Sequence, residues 1–164
     1  MSKIKKSNQP KPSTLNEHSF KKKVIIKKPI DRCWEFLNRM DTFTDGQVFP
    51  YRVEFVSENE NEKPLFSTGT WTNHHGPLLN VCGQIGEMKA PTYRDLNYNY
   101  GSYVLTFRWI RPVRLQFFLS SIEDQKTEIT IQLDCYVAPF LKGFWSMSQN
   151  FFWSGFGGAL RRQI

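Results

Sequence analysis

"FWSMSQNFFWSGFGGAL", Phe144 to Leu160, decides how the rest of the chain is read. It holds four Phe and two Trp, with serines and glycines threaded between them. At about 100° per residue, Phe140, Phe144, Met147 and Phe151 fall on one stripe. Leu141, Trp145, Phe152, Phe156 and Ala159 form a second stripe, roughly 110° away. Ser148 and Gly155 project into the gap between them, while Lys142, Ser146, Gln149, Asn150 and Arg161 take the remaining arc. The spacing therefore predicts a helix with one broad apolar face whose centre line is small. A bilayer span needs about 20 largely apolar residues, and Lys142, Gln149 and Asn150 exclude that. A helical glycine costs about 1 kcal/mol relative to alanine, yet Gly155, Gly157 and Gly158 cluster here. Two explanations stand side by side. Small residues between rings leave a void suited to an apolar ligand, or they let the helix pack closely on a strand.

Upstream the period changes. "TEITIQLDCYV" (127–137) alternates strictly, with Ile129, Ile131, Leu133, Cys135 and Val137 on one face and Glu128, Thr130, Gln132 and Asp134 on the other. This is a half-buried strand, and Pro139 ends it. Further back, "VRLQFFLSS", "YVLTFRWI", "YRDLNYNY", "LLNVCGQIGEM", "FSTGTWTNHH" and "VFPYRVEFVSE" read as strands separated by polar or Gly/Pro turns. "SFKKKVIIKK" is a strand with one wet face. After it, "PIDRCWEFLNRM" places Cys33, Phe36, Leu37 and Met40 at i, i+3, i+4 and i+7, a short amphipathic helix with Pro29 at its start. "DTFTDG" follows as a second helical turn. The order is strand, one or two short helices, a run of antiparallel hairpins and one long helix: an α+β chain with a curved sheet covered by its last helix.

The charge is unevenly placed. The net charge is +7, but residues 1–28 carry nine Lys against one acid, so the body of the chain is balanced. A nucleic-acid-binding domain spreads positive charge over a folded face, which argues against such a partner. Residues 1–18 are expected to be a disordered basic tail and 19–164 a single domain. The tail offers a weak contact with an anionic membrane. Three cysteines without C-x-x-C spacing read as reduced core thiols of a cytoplasmic protein.

"VIIKKPIDRCWEFL", "TEITIQLDCYV" and the aromatic helix from Ala138 onward resemble the opening, last strand and closing helix of the helix-grip superfamily. This is the SRPBCC group of START domains, birch-pollen-allergen-like proteins and polyketide cyclases. The resemblance covers residues 18–164 and implies a β-αα-β6-α order, a curved antiparallel sheet gripping the C-terminal helix, and a cavity between them. It also implies binding of lipids, quinones or polyketides, with catalysis of cyclisation or dehydration in a minority.

No metal or cofactor is expected. His74 and His75 are adjacent and point to opposite faces of a strand, and no zinc-type spacing surrounds them. The chain contains neither a nucleophile elbow nor a dinucleotide fingerprint. The expected cavity lining is Trp71, His75, Ile85, Tyr98, Tyr100, Leu105, Phe107, Phe117, Leu133, Phe144, Ser148, Phe151, Phe152 and Gly155. Tyr98 and Tyr100 share a face as orienting donors, and Arg108 stands ready for an acidic headgroup. The competing readings are a surface hairpin for His75, and tyrosines at a sheet edge with Arg94 and Asp95 exposed. The expected function is binding and carriage of a hydrophobic or amphipathic small molecule. The alternatives are a cyclase or dehydratase using Tyr98, Tyr100 or His75 as acid–base groups, and an interaction module built on the lysine tail.

Overall fold

In the computed structural model, residues 9–44, 51–57, 65–104 and 107–164 are described. Phe49 of the expected strand "VFPYRVEFVSE", the expected lining residue Leu105 and the first eight residues of the basic tail lie outside them. Strand β1 (Asn16–Ile26) is followed by helices α1 (Ile30–Leu37) and α2 (Met40–Thr44). Then come β2 (Arg52–Val56), β3 (Trp71–Gly76), β4 (Leu79–Lys89), β5 (Tyr93–Tyr103), β6 (Ile110–Glu123) and β7 (Lys126–Val137). A single 3₁₀ turn, Pro139–Leu141, leads into α3 (Lys142–Gln163). The seven strands form one antiparallel sheet in the order β1-β7-β6-β5-β4-β3-β2, so the first strand closes against the last.

Register assigns the two faces. Ile85, Leu96, Leu115, Leu133 and Phe20 are paired in one row across β4, β5, β6, β7 and β1, and every one of them is buried. With period two along each strand, this row defines the inner face, which also carries Ile129, Ile131, Phe117 and Leu119. Burying each such side chain contributes roughly 1.5–3 kcal/mol. The neighbouring row, Trp71, Gln84, Asn97, Arg114 and Asp134, lies on the outer face.

Three expectations are corrected here. β1 begins at Asn16, and the chain is already held to the sheet at Gln9 and Leu15, both buried, so residues 9–18 belong to the fold. The expected turn at Gly101–Ser102 is a kink inside β5: Gly101 has φ 106°, and a β-carbon there would collide with Asn80 O. In the expected strand "YVLTFRWI", Tyr103 ends β5 and Ile110 begins β6, and of the residues between them those described are not in a strand. Val104 and Arg108 adopt φ of 53° and 52°, turning the chain back between β5 and β6.

A fourth correction concerns the orientation of α3. Its buried line is Trp145, Gln149, Trp153, Gly157 and Leu160. The stripe of Phe140, Phe144, Met147 and Phe151 lies nearly opposite and is 62–84% exposed. This rotation buries two tryptophans, Trp145 and Trp153, and lets the one polar side chain on the buried line, Gln149, accept from Trp153 Nε1 at 3.0 Å. The remaining arc, outside the expected apolar face, runs along β1. Ser146 Oγ lies 3.0 Å from His18 Nε2, Lys22 donates to Asn150 Oδ1 at 2.7 Å, and Arg161 donates to Ile25 O at 3.2 Å.

Candidate functional site

Rings from separate parts of the chain converge on the inner face. Phe43 of α2 stacks on Phe66, in the segment before β3, with centroids 6.1 Å apart, and on Phe156 of α3 at 6.3 Å. Phe55 of β2 meets Phe66 at 5.6 Å. Phe117 of β6 lies edge-on to Trp153 at 6.0 Å, and Trp153 is edge-on to Phe156 at 5.3 Å. The group at the centre of this assembly is a cation, Arg94 of β5. Its Cζ lies 4.4 Å from the Phe117 centroid and 5.0 Å from those of Phe43 and Phe66. Arg94 is 4% exposed, and burial lowers its pKa to about 9, so the guanidinium stays charged at neutral pH. Its Nε has no hydrogen-bond partner among the described residues.

Two more polar side chains share this face. Tyr98 is buried, with its hydroxyl pKa pushed well up by desolvation. His74 packs edge-on against it at 5.6 Å and approaches Thr72 Oγ1 at 3.3 Å. Burial, with the neighbouring His75, lowers the His74 pKa to about 4, so the imidazole is neutral at pH 7.

The outer face holds a separate network. Asp95, 1% exposed, is ion-paired to Arg114, whose Nε donates to Oδ2 at 2.8 Å. It also accepts from Tyr93 Oη and from the Glu87 backbone N–H, each at 2.8 Å. Gln116 joins Tyr93 to Asp134. Every member has a partner, which marks a structural cluster.

Of the expected lining residues, Ile85, Tyr98, Phe117 and Leu133 lie on the inner face. Trp71 and His75 do not. They pair with Gln84 and Asn80, one residue out of phase with Thr72 and His74, and His75 Nε2 lies 3.3 Å from Glu54 Oε2 on the surface. Tyr100 departs from Tyr98 because a register shift inserts Asn99, reversing the alternation; Tyr100 is 67% exposed. Phe107 sits in the β5–β6 turn, exposed and stacked on Trp109 at 4.3 Å, and Arg108 covers Tyr100 at 5.6 Å. Phe144 and Phe151 are exposed on the outer side of α3. Phe152 is half-exposed, with its ring edge against Trp153. Ser148 bonds back to Phe144 O, and Gly155 has open space where a side chain would be. Arg94 and His74 are among the inner-face residues that the expected lining omits, as are the rings of Phe43, Phe66, Trp153 and Phe156. Arg94 was legible from Leu96, since positions 94, 96 and 98 share one strand face.

Among the described residues no group of three or more His, Cys, Asp or Glu could hold a metal ion, and no helix is long and apolar enough to cross a membrane.

No family model matches the sequence, and no curated protein matches it. Solved structures do. Norcoclaurine synthase from Thalictrum flavum, in complex with dopamine and hydroxybenzaldehyde, aligns with a TM-score of 0.63 at 7% identity over 92% of this chain and 90% of that one. Ara h 8.0201 aligns at 0.58 and 12% identity, covering 88% and 98%. The Aha1 protein of Colwellia psychrerythraea, solved as a dimer, aligns at 0.57 and 9% identity, covering 88% and 96%. At such identities the likeness is one of fold. The chain has the helix-grip, birch-pollen-allergen-like fold.

Proposed function

We propose that this chain binds an apolar or amphipathic small molecule between the inner face of its sheet and α3. The observation that carries this reading is the convergence of Phe43, Phe55, Phe66, Phe117, Trp153 and Phe156 around one buried guanidinium. A core built for stability alone gains little from a charge at its centre, because desolvation opposes it. The norcoclaurine synthase structure supports the same reading, since a fold of this shape there holds two small aromatic molecules. Binding is favoured over turnover by the fate of the acid–base candidates. His75 and Tyr100 face outward, and Tyr98 is held protonated by burial. Three free cysteines, two of them buried, fit a reducing, cytoplasmic setting. Native mass spectrometry of the purified protein tests the binding reading. A small-molecule adduct that leaves on denaturation supports it. An adduct-free protein whose tryptophan fluorescence is unmoved by a panel of apolar compounds overturns it.

A second reading rests on the outer side of α3. Phe140 of the 3₁₀ turn and Phe144, Met147 and Phe151 of α3 are all exposed, and α3 carries no acidic residue. Lys142, Arg161 and Arg162 lie on the same helix, and Lys22 of β1 reaches it at Asn150. Rings that enter an acyl layer and cations that meet its headgroups match an anionic membrane surface. Sedimentation with phosphatidylserine-containing vesicles that weakens in high salt and in F144S/F151S supports this contact. Equal binding by the variant, or self-association through the stripe in its place, overturns it. Deleting residues 1–8 alone separates the helix contribution from that of the lysine tail.

A further inference from the structure

We infer that Arg94 is the seat for a carboxylate, and that the molecule held between sheet and helix is a hydrophobic carboxylic acid bound through this guanidinium. The inference rests on the small-molecule reading above and adds the chemistry of the ligand's polar end.

Three observations carry it. The side chain is enclosed by Phe43, Phe66 and Phe117, whose faces attract a cation but offer nothing to in-plane N–H donors. Its Nε has no acceptor among the described residues. The carboxylate nearest in sequence, Asp95, points to the opposite face of the sheet and is occupied by Arg114, Tyr93 and the Glu87 N–H. The fold thus engages its local acid with Arg114 and leaves Arg94 charged, with an Nε–H that meets no acceptor among the described residues. A planar fork of donors in a ring-lined interior matches a carboxylate in shape and charge. The rings that surround it match the apolar body attached to that carboxylate. Arg108, the cation that sequence spacing singles out for this task, lies outside against Tyr100.

The remaining inner-face groups are compatible with such a ligand. His74 is neutral at pH 7 and Tyr98 is protonated, so neither repels a carboxylate. Lys22, on the same pairing row as Arg94, is turned outward to Asn150.

The test compares matched acid and alcohol probes on the full chain at pH 7: decanoate with decan-1-ol, and 2-naphthoate with 2-naphthylmethanol, followed by calorimetry and tryptophan fluorescence. The wild-type protein is expected to bind at least one acid about tenfold or more tighter than its alcohol. R94M should bind the alcohol as before and lose the preference, and R94K should retain part of it. Acid and alcohol binding equally to the wild type overturns the role of Arg94 while leaving the binding reading intact. Binding of none of the four overturns both. Circular dichroism establishes that each variant is folded, and the wild-type comparison stands even if R94M is not.

Discussion

Gly157 of α3 faces Val24 of β1 with no room for a β-carbon between them; one placed there would stand 2.9 Å from Val24 Cγ1. Gly155, two residues earlier, has nothing within 4 Å of the same position. The glycine cluster thus divides into one close-contact site and one site open to water. G157A is expected to destabilise the protein, because overpacking costs about 1–3 kcal/mol and a better helix former returns at most about 1 kcal/mol. G155A is expected to stabilise it by about 0.4–1 kcal/mol. Urea unfolding of the two variants checks both signs. Equal shifts in the same direction would show that the helix is rotated differently.

The neutral state of His74 makes stability depend on pH. Its pKa is about 4 when folded and 6.5 in the unfolded chain, so between these values the unfolded chain binds more protons. Stability is then full above pH 6.5 and declines as the pH falls towards 4. The loss is about 3 kcal/mol at most, an upper bound because the residue is only partly shielded from water. Replacing the imidazole in H74Q should flatten the profile across that window. Unfolding free energies measured at several pH values decide it; an unchanged slope in H74Q would assign the effect elsewhere.

Asp95 anchors the outer-face network. D95A removes the partner of a nearly buried Arg114 and the acceptor of the Glu87 N–H. Losses of roughly 3–5 kcal/mol follow from breaking such a pair from one side. D95N keeps an acceptor oxygen and should cost less. Denaturant midpoints give the comparison, and a D95A loss below that of D95N would contradict it.

Gln9 closes a gap in the sheet. The β5–β6 ladder is interrupted between Asn97 and Tyr103, and the Gln9 amide donates across it to Tyr98 O at 3.3 Å and Pro112 O at 3.0 Å. Q9A should cost about 1–3 kcal/mol by leaving buried carbonyls without a donor. Faster amide exchange near Tyr98 in Q9A would locate the effect; exchange unchanged there would count against it.

The strands with strict alternation, β1 and β7, were legible because one face is apolar and the other charged or polar throughout. The helix was legible as an element but not in its rotation, since rings lie on both its sides and periodicity alone cannot rank them. What ranked them was Gly157 against Val24 and the polar line of Ser146 and Asn150 against His18 and Lys22, relations between residues more than a hundred positions apart. The same limit explains Tyr100 and Phe107. A one-residue insertion at Asn99 and two left-handed residues reverse the alternation, and neither carries a glycine or proline at that point to announce it.

Pairing of β1 with β7 joins residues 16–26 to residues 127–137. During synthesis β1 must therefore wait, without its partner, until residues 127–137 have left the ribosome. Its run Lys21-Lys22-Lys23 then discourages premature pairing with other nascent chains. The same lysines guard the free edge once the protein is complete, so one short charged run serves both the newborn chain and the mature molecule.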